Sequence, residues 1–101
     1  MNEEILQQEQ LQALLKAFKE QHAEKYHLSA LGYFGSYARN EALEDSDVDI
    51  VFETDVPNLF KTAMMKQDLE EWLGRRVDVV RLRECMNPRL RGRIIREARY
   101  V

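Results

Sequence analysis

Apolar residues recur at helical spacing along the first part of the chain. Leu11, Leu14, Leu15 and Phe18 follow the i, i+3, i+4, i+7 rule, and Ile5 and Leu6 extend the stripe. Glu and Lys fill the opposite side, so the pattern predicts a helix over 3–26. The period then changes. Leu28 to Phe34 reads as a strand, Gly35 breaks it, and Ser36 is placed to cap a short helix. Glu44-Asp45-Ser46 is a polar loop. Asp47 to Phe52 alternates, with Asp47, Asp49 and Val51 on one face and Val48, Ile50 and Phe52 on the other.

Pro57 and Asn58 introduce a second long helix over about 58–73. Met65, Leu69, Trp72 and Leu73 form its apolar stripe, and Gly74 is a natural stop. Met64 is expected to pack with them. Val77 to Leu82 reads as a third strand. Asn87-Pro88 opens a last helix over 88–98, with Leu90, Ile94 and Ile95 inward and Arg outward. This order predicts an α/β (α+β) layer: a small mixed sheet of three or four strands with helices packed on it. Strand directions stay open.

Composition narrows the class. The chain has 101 residues, 45% hydrophobic and 33% charged, which fits one globular domain over 1–101 and not a disordered chain. The single cysteine, Cys85, has no partner for an internal disulfide, so a reducing, cytoplasmic setting is expected and the thiol is read as inert. The acidic Met1-Asn2-Glu3-Glu4 start is no signal peptide, and no apolar run is long enough to span a membrane. The net charge of −3 is unevenly spread. Residues 75–101 hold nine Arg against three acids, and the rest holds six Lys or Arg against fifteen acids. The basic end is either a solvated tail or a surface for an acidic partner, nucleotide phosphates or RNA. The overall negative charge argues against a free-standing nucleic-acid binder, so no direct nucleic-acid target is expected.

Three strand-borne acids carry the chemistry. Asp47, Asp49 and Asp78 stand in or beside otherwise apolar strands, where a charge is costly unless paired or bound to a cation. Asp47 and Asp49 share one face and repel each other unless a hard divalent ion, Mg²⁺ above all, sits between them. The bland alternatives are that Asp49 faces solvent and that Asp78 pairs with Arg75 or Arg76. Gly35 and Ser36 offer backbone N–H groups and a hydroxyl to a phosphate. Arg39 lies one turn from Ser36 and either reaches phosphate or acceptor, or pairs with Glu41 or Glu44. Tyr37 is read as packing, and His22 and His27 as surface residues. Phosphate cradle plus carboxylates is the equipment for phosphoryl or nucleotidyl transfer.

Gly35-Ser36, ten residues, then Asp47-Val48-Asp49 resembles the signature of the minimal nucleotidyltransferases of the DNA polymerase β superfamily. Asp78, between Val77 and Val79, resembles that family's third-carboxylate strand. One departure is Asn40, where many relatives have glycine; Asn tolerates left-handed backbone better than most residues. The resemblance spans essentially the whole chain. It implies a nucleotidyltransferase fold in which Asp47, Asp49 and Asp78 hold two Mg²⁺ ions and Asp78 accepts the attacking hydroxyl's proton. Gly35 and Ser36 would bind the triphosphate of ATP as substrate.

Larger members of that superfamily add a domain for the acceptor, and 101 residues leave no room for one. A homodimer mate or a separate protein is therefore expected to complete the site. The minimal members resemble the antitoxin half of a toxin–antitoxin pair. The resemblance implies AMP transfer from ATP to a tyrosine of a HEPN-type ribonuclease toxin. Two alternatives stay open: a contact-only antitoxin using the Arg-rich end, and a small-molecule nucleotidyltransferase of the aminoglycoside-modifying kind.

Overall fold

The computed structural model describes residues 6–101. The elements are α1 (Gln8–Tyr26), β1 (Leu28–Phe34), β2 (Val48–Thr54), α2 (Leu59–Leu73), β3 (Val77–Arg81), α3 (Pro88–Glu97) and β4 (Arg99–Tyr100). The sheet order is β3-β2-β1-β4. β1 runs antiparallel to both β2 and β4, whereas β2 and β3 are parallel, joined by α2 as the crossover. The fold is therefore a mixed sheet in an α+β layer.

Side-chain alternation splits the core in two. Tyr33, Val48, Ile50, Phe52 and Val77 face α1 and α2, meeting Leu11, Leu15, Phe18, Met65 and Leu69. Leu28 and Leu31 join them despite their odd spacing, because an irregularity between Leu28 and Ala30 resets the strand's facing. Trp72 donates its indole N–H to the Leu14 carbonyl at 2.9 Å, tying α2 to α1. On the opposite face Phe34, Val51 and Ile94 form a smaller cluster, with Leu90 and Val80 beside it. α3 thus covers the sheet face that also carries Asp49.

Local chemistry sets the ends. Gln10 turns back to accept the Gln7 N–H at 3.0 Å, so α1 starts at Gln8 and not at residue 3; residues 3–5 lie outside the described part. The Asn58 side chain caps α2 by accepting from Lys61 N–H, and Gly74 ends it in left-handed backbone. Asn87 caps α3, with Pro88 as its first residue.

Several expectations are corrected. The short helix at Ser36 is a single turn. Glu41 N–H bonds the Ser36 carbonyl and Asn40 N–H bonds the Tyr37 carbonyl, the paired bonds that terminate a helix, with Asn40 left-handed at φ 59°. Ile95 is 59% exposed, because the arc of α3 that reaches the sheet is centred on Ile94. Met64 is 47% exposed, one position off the buried stripe of Met65, Leu69 and Leu73. His22 is partly buried, stacked on Phe18 at 4.1 Å between centroids. β4 is a two-residue strand that hydropathy did not mark. It lies against Gly32, where a Cβ would stand 2.4 Å from the Arg99 carbonyl oxygen.

Ile94 is the fully buried residue through which α3 holds the second face. Ile94→Ala is expected to cost about 2–5 kcal/mol of stability, read as a lowered midpoint in urea unfolding.

Candidate active site

β2 and β3 pair in parallel with Asp49 opposite Asp78. Residues so paired point to the same side of the sheet, with backbones about 4.8 Å apart. Two acids are thereby fixed side by side. Asp49 is half-buried and Asp78 is exposed at the sheet's edge strand. Burial pushes the Asp49 carboxyl above its ordinary pKa, and the neighbouring Asp78 charge pushes it further. Arg93 opposes that rise, Asp47 adds to it, and Arg39 opposes it more weakly.

Asp47 stands one residue before β2 and turns to Arg76, whose Nε lies 3.2 Å from its Oδ1. Arg75 instead donates to the Tyr37 hydroxyl at 3.1 Å. Neither arginine pairs with Asp78, which removes the bland alternative for that residue. It also means that the trio is not a finished cage: among the described residues no three His, Cys, Asp or Glu side chains form a metal-binding group. The donor set still fits a hard cation. Asp49 and Asp78 present carboxylates in register, and Asp47 would have to exchange Arg76 for an ion to join them.

The turn after β1 meets this pair directly. Gly35 has φ 76°, and a Cβ there would lie 2.1 Å from the Asp49 carboxylate oxygen Oδ2. Only glycine fits both the backbone angle and the space. Ser36 follows, partly exposed, while Tyr37 and Ala38 are buried and pin the turn to the core. No described hydrogen bond uses the N–H of Ser36 or Tyr37. Arg39 is bridged to Glu41 and Glu97, each at 3.0 Å. Its surface pairing with Glu41 is the one the sequence offered.

Two site residues escaped the sequence reading. Glu97 Oε1 accepts the Gly35 N–H at 3.3 Å as well as the Arg39 guanidinium. Arg93 lies 3.9 Å from the same oxygen, with its guanidinium 6.0 Å from the Phe34 ring centre. Glu97 is the one acid of α3, and that isolation among arginines was the available signal.

A mixed sheet carrying paired strand acids beside a Gly-Ser turn defines the nucleotidyl- and phosphoryl-transfer class. The chain belongs to the nucleotidyltransferase domain family, whose model matches residues 11–101. It is an enzyme of that class. It is 37% identical over 98 residues to the protein adenylyltransferase MntA of Thermococcus cleftensis, covering 96% of this chain and 98% of that one. Among solved structures, one provisionally described as a minimal nucleotidyltransferase superposes with a TM-score of 0.77 at 37% identity, over 92% of this chain and 94% of that one. A chain from the complex of a tri-AMPylated HEPN toxin of Shewanella oneidensis with its MNT antitoxin shares the fold. Its TM-score is 0.57 at 22% identity, over 85% of this chain and 71% of that one. No helix among the described residues is long and apolar enough to cross a membrane.

The raised Asp49 pKa has a consequence for stability. The folded chain holds that proton more tightly than the unfolded chain, whose carboxyl titrates near 3.8. Stability is therefore lost as pH rises from about that value through the raised one, and the loss persists at neutral pH. Asp49→Asn is expected to melt at a higher temperature than wild type at pH 7 without divalent cation. The gain should fade below pH 3.8. Equal melting curves at pH 7 would show that the charge is not under strain.

Proposed function

We propose that the protein transfers AMP from ATP, with Mg²⁺, onto a tyrosine hydroxyl of a HEPN-type toxin and thereby acts as its antitoxin. The single observation carrying the chemistry is the in-register Asp49–Asp78 pair abutting Gly35, which has no Cβ. The relative in Thermococcus cleftensis is named for protein adenylyl transfer, and the Shewanella oneidensis complex joins an AMPylated HEPN toxin to a member of the same fold. Those names support the substrate and partner assigned here.

In this reading Asp47, Asp49 and Asp78 hold the divalent ions, and Gly35, Ser36 and Arg39 bind the β- and γ-phosphates. The ions, when bound, neutralise charge on the entering and leaving oxygens of an in-line displacement. The acceptor oxygen bonds to the α-phosphorus as the bond to the bridging oxygen of the β-phosphate breaks. Pyrophosphate leaves with the electron pair, and Asp78, at the exposed edge of the pair, takes the hydroxyl proton. The Ser36 N–H and hydroxyl supply donors for phosphate oxygens. The acceptor tyrosine arrives on another chain, as in the Shewanella oneidensis complex, where the AMPylated toxin and the antitoxin are separate proteins.

The test is to incubate the chain with its toxin, ATP and Mg²⁺ and to weigh the toxin. Wild type is expected to add one or more adenylyl groups, with Asp49→Asn and Asp78→Asn slower by roughly a hundredfold or more. An unchanged toxin mass, with toxicity still suppressed, makes the chain a contact-only antitoxin.

A further inference from the structure

Glu97 stands at the wrong end of its helix. It is the last residue of α3, where the helix dipole is negative and an acid is disfavoured. Yet its side chain is drawn in to 19% exposure. Two hydrogen bonds and a longer ion pair hold it, and all of them act on one oxygen. Gly35 N–H lies 3.3 Å from Oε1, Arg39 lies 3.0 Å away and Arg93 3.9 Å. A backbone amide flanked by two guanidiniums is an anion receptor. The amide belongs to the turn that carries Ser36 and abuts Asp49.

An N–H donates fully to one acceptor at a time. A carboxylate on the Gly35 amide and a phosphate oxygen at the same point exclude each other, by occupancy and by like charge. We propose that Gly35 N–H, Arg39 and Arg93 form a subsite for a phosphate group of the incoming nucleoside triphosphate, and that Glu97 is its resident occupant, displaced when the nucleotide enters. This rests on the adenylyl-transfer reading of the site. It adds Arg93 to the phosphate-binding residues and makes Glu97 a competitor of the substrate. The carboxylate has a way out, because the neighbouring guanidiniums of Arg39 and Arg93 are about two-fifths exposed.

The contrasting role for Glu97 is a brace that holds the turn in shape, and the two roles predict opposite signs. Calorimetric titration of the full chain with ATP and Mg²⁺ separates them. As a competitor, Glu97→Gln keeps its volume, loses its charge and binds ATP roughly tenfold more tightly, with a lowered KM for ATP. Arg93→Gln binds it roughly tenfold more weakly. Tripolyphosphate, which has no base, shows the same ordering, and adenosine shows no gain in Glu97→Gln. Thermal melting confirms that each variant is folded. Glu97→Gln binding that is equal to wild type or weaker overturns the proposal, and rescue by Glu97→Asp assigns the brace role. An Arg93→Gln chain that binds as wild type removes Arg93 from the subsite. Absence of ATP binding in wild type and Glu97→Gln alike overturns the nucleotide reading itself along with this one.

Discussion

The structure turns on the pairing of Asp49 with Asp78 across two parallel strands. Parallel pairing in that register admits no relief, since both side chains must leave the sheet on the same side. Burial of one and proximity of both make the pair costly, which is why Asp49 holds its proton above the usual range. A fold selected for stability alone has no reason to keep it. The cost buys a rigid spacing between two carboxylates on backbone that cannot drift, and groups on strands hold their geometry better than groups on loops.

The surrounding elements follow from that constraint. Parallel strands need a crossover, and α2 supplies it, packing through Met65 and Leu69 on the face away from the acids. The acid face is left to α3, which contributes Ile94 to the core and Arg93 and Glu97 to the site. One helix thus serves packing with one arc and electrostatics with the next. Arginine is suited to this, because its stem covers apolar surface while its head remains near water. The Arg93 guanidinium lies over the Phe34 ring while its charge opposes the rise of the Asp49 pKa.

What the sequence carried and what it withheld divide along physical lines. Periodicity and caps are local, so β1 fell on Leu28–Phe34, and the ends marked by Asn58, Gly74 and Asn87-Pro88 were readable. The in-strand acids were readable as anomalies of composition. Register is not local: nothing in either strand alone states that Asp49 meets Asp78 rather than a valine. The Asp47–Arg76 ion pair was hidden for the same reason, since it joins residues from the starts of two strands. The helix expected at Ser36 failed on a local rule that the sequence did contain. Asn40, noted for tolerating left-handed backbone, uses that tolerance to end the helix within one turn.

Glu97 shows how far such reasoning reaches. A lone acid in a helix of arginines reads as a surface residue, and its i, i+4 relation to Arg93 reads as an ordinary solvated pair. Only the return of α3 over the sheet brings its carboxylate onto the Gly35 amide, 62 positions away in sequence. An apo enzyme that binds an anion has two ways to keep its donors satisfied: water, or a carboxylate of its own. The second holds the arginines in place without substrate and sets a threshold that the substrate must exceed. On the proposed reading, a triphosphate bridged by a cation to the strand acids would engage them and the turn together, and so would cross that threshold where a single inorganic phosphate has fewer contacts with which to compete. In this fold, selectivity for a polyphosphate would then lie partly in the residue that has to move aside.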